Sequence, residues 1–428
     1  MNAFAWPRPK FLLAVCALTG LFLMAVVPSL RAQDQSPEQF MLSLAAAIDD
    51  TTLTPRERLG LRLFFDAGLS EPAGVACASC HDPRRAFTGN NNTMIGVALG
   101  SRTDQFGTRD APTIMYLATA PRFGSIEQDG RRMPAGGHFW DGRADTLEEQ
   151  AKQPFFNATE MNNADAPALI AKVAKAAYAG EFRKEWGDGV FANPEAALDA
   201  VAASIAAFER TRVFQPFTSK FDHVMRGEAK FTEEEQRGLS LFTIRQKGNC
   251  AQCHTVDTAS RDPQKSLFTD FSYRALGLPR SQRIPKNADP AFVDLGLCER
   301  VPVAGVKPGT QAAKPPVADP AACGLFKTPT LRNITITAPY MHNGFFDHLR
   351  DAVAFYATRD TDPARWFPAG RKFNDLPAPY HVNVDVDTPP YQRRPNQRPQ
   401  LTDADIDDIV AFLYTLTDGY KSVSEKIK

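Results

Sequence analysis

The stretch Cys77-Ala78-Ser79-Cys80-His81 decides the fold of this chain, and the same pattern returns at Cys250-Ala251-Gln252-Cys253-His254. In each stretch the two thiols can form thioether bonds to a haem, while the adjacent histidine binds its iron. A five-residue pattern that occurs twice in one chain is hard to ascribe to chance. The sequence therefore predicts two covalently bound c-type haems and a function in haem chemistry.

The length of the chain fits two haem domains better than one. A domain commonly has roughly 100–200 residues, and this chain has 428. A linker-like segment around Pro216 lies between the two motifs, which gives predicted domains at 33–215 and 216–428. The 49 basic and 49 acidic side chains balance, so nothing in the charge indicates a nucleic-acid partner.

The first residues have the pattern of a secretory signal peptide. Arg8 and Lys10 precede the apolar run Phe11 to Val27, and the small residue Ala32 stands before polar sequence. We interpret residues 1–32 as a cleaved signal; an uncleaved membrane anchor is the alternative, because the run is nearly long enough to span a bilayer. Export and haem c attachment together predict the periplasm.

An internal repeat precedes the two haem motifs. Thr54-Pro55-Arg56-Glu57 and Thr232-Glu233-Glu234-Glu235 each predict a capped helix start. The helices that follow contain Gly60-Leu61-Arg62-Leu63-Phe64 and Gly238-Leu239-Ser240-Leu241-Phe242. Each half therefore begins with the same helix, placed shortly before its haem motif.

Each half also closes with an amphipathic helix, predicted at 194–210 and 402–416. A helix before the haem motif and a helix at the domain's end are the plan of a class I cytochrome c. The intervals 257–320 and 366–399, rich in Pro, Asp and Arg, are predicted to be ordered loops over the haem edges. We therefore expect a mainly α protein with two class I cytochrome c-like haem domains and long ordered loops.

Two cysteines lie outside the haem motifs and the N-terminal segment. Cys298 and Cys323 bracket a stretch rich in Pro, Ala and Lys that has little apolar content of its own. In an oxidising compartment a disulfide between them is the natural pairing; two free thiols are the alternative.

Several further segments resemble the bacterial di-haem cytochrome c peroxidase and MauG family, and with the two motifs the resemblance covers nearly all of the chain after residue 32. The segments are Phe139-Trp140-Asp141-Gly142-Arg143, Leu147-Glu148-Glu149-Gln150-Ala151, Pro154, Glu160-Met161, Thr328-Pro329-Thr330-Leu331-Arg332-Asn333 and Thr337-Ala338-Pro339-Tyr340-Met341-His342-Asn343-Gly344.

The resemblance implies roles for three residues in peroxide chemistry. Glu160 matches the family's acid-base group over the N-terminal haem, and Gln150 matches a residue of the same distal site. A carboxylate in an apolar site can take a proton from one peroxide oxygen and return it to the other. Trp140 matches the tryptophan between the two haems, where its ring can relay electrons; a buried structural Trp is the ordinary alternative.

The resemblance also implies a calcium ion at the interface of the two domains. Its predicted ligands are Asp110 and the backbone carbonyls of Thr337 and Pro339. Family members often have asparagine at the position of Asp110, so the predicted site is more anionic here.

One departure from the family concerns the first haem. Many di-haem peroxidases place a histidine after the first motif that caps the iron at rest, yet no histidine stands between His81 and His138. We therefore expect the first haem to rest open, with Pro154 and Glu160 over it. A ligand from Met94 or Met115 is the alternative, although neither matches a family ligand position.

A second departure concerns the other haem. Peroxidases of the family use a methionine fourteen residues after the histidine that matches His342, and that position is Tyr356 here, as in MauG. A tyrosinate stabilises ferric and higher iron states, whereas methionine raises the potential. Without the resemblance, Tyr356 would be assigned to a helix core. We predict that it binds the second haem iron, because Met341 lies inside the family turn and is a poor substitute.

These inferences predict a di-haem oxidoreductase that uses hydrogen peroxide, with electrons supplied through the second haem by a partner protein. A MauG-like partner would be a precursor protein whose aromatic residues are oxidised. The alternative donor is a mono-haem cytochrome c or a cupredoxin, which would make the chain a detoxifying cytochrome c peroxidase. Rivals from other classes are a non-enzymatic electron-transfer cytochrome and a sensor. A homodimer is compatible with each of these.

Overall fold

The computed structural model describes residues 52–300 and 319–421, and they are mainly helical. The predicted signal peptide and most of the stretch between Cys298 and Cys323 lie outside the described residues. No helix among the described residues is long and apolar enough to cross a bilayer. The helices are α1 Pro55–Phe65, α2 Cys77–Cys80, α3 Leu147–Phe156, α4 Ala166–Val173, α5 Ala179–Trp186, α6 Pro194–Glu209, α7 Lys220–Arg226, α8 Glu233–Thr243, α9 Leu349–Thr358 and α10 Asp403–Tyr414.

The strands of the described residues are short and form three antiparallel pairs. They are β1 His81–Asp82 with β2 Thr88–Gly89, β3 Gly124–Gln128 with β4 Arg131–Ala135, and β5 Tyr273–Arg274 with β6 Phe326–Lys327. Between these elements the chain runs in loops and 3₁₀ turns that have defined hydrogen bonds. The predicted mainly α fold with long ordered loops is confirmed.

The two predicted helix starts are built in the same way. In α1 the backbone N–H of Thr54 donates to Glu57 Oε2 at 2.7 Å, and in α8 that of Thr232 donates to Glu235 Oε2 at 2.7 Å. In both cases the threonine side chain in turn accepts from the backbone of the glutamate. Each reciprocal pair satisfies donors that the first turn of a helix leaves unpaired.

The glycines of the repeated segment lie where two helices cross. Helix α1 packs against α6, and a Cβ on Gly60 would collide with the carbonyl oxygen of Ser204. Helix α8 packs against α10, where a Cβ on Gly238 would collide with the carbonyl oxygen of Asp408. The repeat therefore marks two equivalent close helix crossings, each of which only a glycine can fill.

The hydrophobic cores divide along the chain. One core is built from buried residues between Leu59 and Phe214, and two others lie between Phe221 and Leu416. Phe64 packs on Phe208 at 5.6 Å between ring centres in the first half. Phe242 and Phe412 pack in the same manner, with their ring centres 5.3 Å apart, in the second half.

Buried polar contacts join the two halves. The carboxylate of Asp418 accepts hydrogen bonds from the Tyr116 hydroxyl at 2.7 Å and from Asn333 Nδ2 at 2.7 Å. Cys298 and Cys323 form a disulfide, with their Cα atoms 4.8 Å apart.

Candidate functional site

The histidines of the two haem motifs are held in the same way. Nδ1 of His81 lies 2.9 Å from the carbonyl oxygen of Phe87, and Nδ1 of His254 lies 3.0 Å from that of Phe268. A carbonyl oxygen can only accept, so each Nδ1 carries the proton and each Nε2 keeps its lone pair. Burial lowers the pKa of both histidines, which favours the neutral ring. Both rings are therefore prepared to bind iron through Nε2.

These two carbonyls could not be found from the sequence. Phe87 follows its histidine by six positions and Phe268 by fourteen, so the two do not align. Both residues have positive φ angles, 55° and 53°, which turn the carbonyl of each toward its histidine ring. A phenylalanine with positive φ is uncommon and carries backbone strain.

The four motif cysteines have free sulfurs, as thioether attachment requires. Burial raises the pKa of Cys77, Cys80, Cys250 and Cys253, so all four are neutral thiols at pH 7. In both motifs the histidine is therefore accompanied by two unpaired thiols.

The second motif opens into a cavity of about 230 Å³. Cys250, Cys253 and His254 line it together with Tyr356, and Met341 also lies on its wall. The other walls are largely apolar and include Phe242, Leu331, Ile334, Leu349, Val353 and Leu413. A haem needs a slot with apolar walls, two thiols, a proximal histidine and room for a sixth ligand, and this cavity fits it.

Tyr356 lies on α9 in this cavity and is not simply part of the helix core. Burial raises the pKa of Tyr356, and the neighbouring thiols of Cys253 and Cys250 act in the same direction. Arg359 and Tyr391 oppose them and favour the phenolate. A bound iron ion would favour the phenolate strongly.

Glu160 lies beside the first motif. Its charge acts on both Cys77 and Cys80, and burial raises the pKa of Glu160 itself, against a smaller opposite effect from Arg143. Asn157 Nδ2 donates to Glu160 Oε1 at 2.6 Å and orients the carboxyl group. The site therefore contains a carboxyl group that holds a proton more readily than a solvated glutamate does.

Helix α3 carries the other two distal residues that the sequence predicted. Gln150 and Pro154 have half-buried side chains one turn apart on this helix. The carbonyl oxygen of Pro154 accepts from the backbone N–H of Met161 at 3.1 Å, which folds the turn containing Glu160 back over the end of α3. Gln150, Pro154 and Glu160 thus belong to one local unit.

Arg143 is a residue of this region whose role sequence reasoning missed. Its guanidinium donates to Asp141 at 3.0 Å and to Gln153 Oε1 at 2.8 Å, and it lies 3.5 Å from the ring centre of Phe139. It is also the cation that acts on Glu160. Arg143 therefore connects the tryptophan loop to the distal carboxyl group.

Trp140 is buried on the wall of the same cavity. Its Nε1–H donates to the carbonyl oxygen of Asp110 at 2.9 Å, which fixes the ring. Pro112, whose backbone carbonyl acts on the ring of His81, also lines this cavity. The cavity wall that contains Trp140 therefore extends from the second haem motif to Pro112, whose carbonyl contacts the histidine of the first motif.

The three predicted calcium ligands, Asp110, Thr337 and Pro339, all line this cavity. Asn90 Nδ2 donates to Asp110 Oδ1 at 2.6 Å, and burial raises the pKa of Asp110 well above its usual value. Among residues 52–300 and 319–421, no group of three or more His, Cys, Asp or Glu side chains could hold a metal. A calcium ion would depend here on one carboxylate and on backbone oxygens.

The two alternative methionine ligands of the first haem are poorly placed. Met94 is 89% exposed, and the sulfur of buried Met115 accepts a hydrogen bond from Asn333 Nδ2 at 3.4 Å.

His138 is buried, and that burial lowers its pKa to about 3, so it is neutral. His342 stacks on Phe326, with ring centres 3.5 Å apart.

Comparisons with known proteins agree on one family. Residues 54–230 match the family model described as di-haem cytochrome c peroxidase. The chain is 37% identical to the methylamine utilization protein MauG of Paracoccus denitrificans over 84% of this chain and 88% of that protein. It is 31% identical to the cytochrome c551 peroxidase of Nitrosomonas europaea, over 69% and 70% respectively. The crystal structure of the diheme peroxidase BthA from Burkholderia thailandensis superposes with a TM-score of 0.78 at 41% identity, covering 87% of this chain and 89% of that one.

Proposed function

This chain belongs to the di-haem cytochrome c peroxidase family, and from that premise we propose that it uses hydrogen peroxide to oxidise aromatic residues of a partner protein. The observation that carries the proposal is Tyr356, which lies in the cavity of the second motif where peroxidases of the family have methionine. The two c-type haems supply iron that reacts with peroxide at one site and stores oxidising equivalents at the other.

Glu160 is the acid-base group in this proposal. Its carboxylate would accept a proton from one peroxide oxygen and return it to the other, so that the O–O bond breaks and the protonated oxygen leaves as water, with the two electrons supplied by the haems. The hydrogen bond from Asn157 keeps one carboxylate oxygen occupied, so the other is the group that transfers the proton. Gln150, on the adjacent helix, orients the bound peroxide by hydrogen bonding.

Trp140 relays electrons between the two haem sites, with its ring held by the hydrogen bond to Asp110. Tyr356 would bind the iron of the second haem through its phenolate oxygen, whose negative charge would favour the oxidised state. The oxidising equivalents can therefore be held at the second site until a partner protein docks. Oxidation of the partner proceeds by long-range electron transfer, so it needs no substrate-sized cavity.

Detoxification of peroxide with electrons from a small cytochrome c or cupredoxin is the second candidate. The similarity to a named cytochrome c551 peroxidase favours it. The two functions differ at Tyr356, because a gated peroxidase requires a second haem of high potential that can be reduced first.

The remaining assignments complete the proposal. Residues 1–32 export the chain to the periplasm, and the two domains divide at 215/216, close to where the hydrophobic cores divide. A calcium ion at Asp110, Thr337 and Pro339 joins them. A homodimer is compatible with this proposal.

The test is to add stoichiometric peroxide to the fully oxidised protein and to follow its optical and electron spin resonance spectra. Rapid formation of a high-valent species without prior reduction is expected. Glu160→Gln should slow that reaction by about 10²–10⁴-fold, the usual contribution of a general acid-base group.

The matched control is Glu71→Gln. Glu71 has an exposed carboxylate. Its backbone N–H donates to the carbonyl oxygen of Met161, in the same turn as Glu160, at 2.8 Å. This variant should react at the wild-type rate. Unchanged peroxide reactivity in Glu160→Gln would contradict the catalytic assignment, and reaction only after half-reduction would favour the gated peroxidase.

A further inference from the structure

Tyr391 presents an unpaired hydroxyl in the cavity that contains Tyr356. Its side chain is 5% exposed, and its hydroxyl oxygen is buried without a hydrogen-bond partner among the residues that the structure describes. The two tyrosine rings are stacked, with centres 5.7 Å apart and planes inclined by 29°. Both rings line the cavity together with His254.

Contacts with other residues hold the Tyr391 ring in place. Its backbone N–H donates to the carbonyl oxygen of Thr388 at 2.7 Å, and the guanidinium of Arg359 lies 3.9 Å from its ring centre. Arg359 is itself fully buried and donates to Asp360 and to the carbonyl oxygen of Leu276, the latter at 2.8 Å. Tyr391 is therefore held rigidly beside Tyr356.

A buried hydroxyl that lacks a partner destabilises the fold, so this rigidly held hydroxyl calls for an acceptor. No described residue accepts from it at hydrogen-bonding distance, but Tyr391 already acts on the Tyr356 hydroxyl and favours its phenolate form. A phenolate bound to iron keeps a lone pair and part of its negative charge, which makes its oxygen a strong acceptor.

We propose that Tyr391 is a positioning residue for the second haem, and that its hydroxyl donates a hydrogen bond to the phenolate oxygen of Tyr356 when that oxygen binds the iron. This inference rests on the proposed function, which assigns Tyr356 as the ligand. The hydrogen bond draws electron density away from the ligand oxygen. It therefore sets how strongly the phenolate stabilises oxidised iron, and so the potential at which the second haem passes electrons.

The test is Tyr391→Phe in the complete di-haem protein, since phenylalanine keeps the stacking on Tyr356 and the contact with Arg359. Two properties of the second haem are measured: its ferric/ferrous midpoint potential and the energy of its phenolate-to-iron charge-transfer band. The variant should have a more negative potential and a band at lower energy. A tenfold change in the reduction equilibrium corresponds to about 59 mV for this one-electron couple.

The matched control is Tyr340→Phe. Tyr340 is another buried tyrosine that lines the same cavity, but its charged neighbour is Arg85. This control should leave both properties unchanged. Thermal unfolding followed by circular dichroism should place both variants near the wild type.

Two results would overturn the inference. Unchanged potential and band in Tyr391→Phe would mean that Tyr391 only fills space. A charge-transfer band that survives Tyr356→Phe and disappears in Tyr391→Phe would make Tyr391 the ligand. Failure of the proposed function would give a different result: the wild-type protein would not react with peroxide. The reduction potentials of the variants could still be measured in that case.

Discussion

Replacement of Arg332 by methionine is the sharpest test of how the second haem site is supported. Arg332 and Asp222 are both fully buried, and two guanidinium nitrogens donate to the two carboxylate oxygens at 2.9 and 3.1 Å. A third nitrogen donates to Ser266 O at 2.9 Å. That oxygen lies two residues before Phe268, whose carbonyl binds His254. The arginine thus connects a buried ion pair to the proximal ligand.

The expected loss follows from the burial of the pair. Removing Arg332 leaves the Asp222 carboxylate uncompensated in the core, which costs about 3–5 kcal/mol. The double variant Arg332→Met/Asp222→Asn should be more stable than Arg332→Met alone, because the unpaired charge is then gone. The control is Arg350→Met. Arg350 pairs with exposed Asp407 and Asp403 at 2.7 and 3.0 Å, and its loss should cost no more than about 1 kcal/mol.

Denaturant unfolding at pH 7, followed by circular dichroism and by absorbance of the haems, measures these free energies. The absorbance change of the second haem should move to lower denaturant concentration in Arg332→Met. A loss below about 1 kcal/mol in Arg332→Met, or additive losses in the double variant, would refute the argument from an uncompensated buried charge.

Three further predictions concern proton transfer, helix packing and calcium. Because burial raises the pKa of Glu160, the rate of reaction with peroxide should fall on acidification with a midpoint above the usual pKa of a glutamate, and stopped-flow measurements on Glu160→Gln should show no such midpoint. Gly238→Ala should destabilise the fold by about 1–3 kcal/mol because the new methyl group meets helix backbone. Gly180→Ala, in a helix where an added Cβ would meet no other atom, should stabilise the fold by up to about 1 kcal/mol in denaturant unfolding. The positive charge of Arg85 acts on Asp110, so Arg85→Gln should retain calcium more tightly and Asp110→Asn less tightly, measured by metal analysis after dialysis against a chelator. Equal retention in all forms would argue against calcium at this site.

Local sequence determined the elements of the fold. The motif cysteines and histidines are specified within five residues, and the capping threonines act on residues three positions away, so both were predictable. The repeat around Gly60 and Gly238 was visible too. Its reason, a close crossing of two helices, emerged only when α6 and α10 were in place.

The residues assigned to the distal site were predicted only through the resemblance to a family. Taken alone, Glu160 would be a solvated glutamate and Tyr356 a core residue of a helix. Burial beside Cys77 and Cys80 sets the protonation of Glu160, and that burial depends on how the turn folds back over α3. Such an environment is a property of the packed chain.

The sequence by itself predicted two attached haems, each with the histidine of its motif as an iron ligand, and a mainly helical chain. Tertiary structure decided what surrounds them: the carbonyls of Phe87 and Phe268 at the histidines, and the pairing of Tyr356 with Tyr391. The physical reason is the separation along the chain of the residues that interact. Thioether attachment and helix capping act between neighbours along the chain, whereas burial, charge and hydrogen bonding at a haem depend on groups brought together from distant segments.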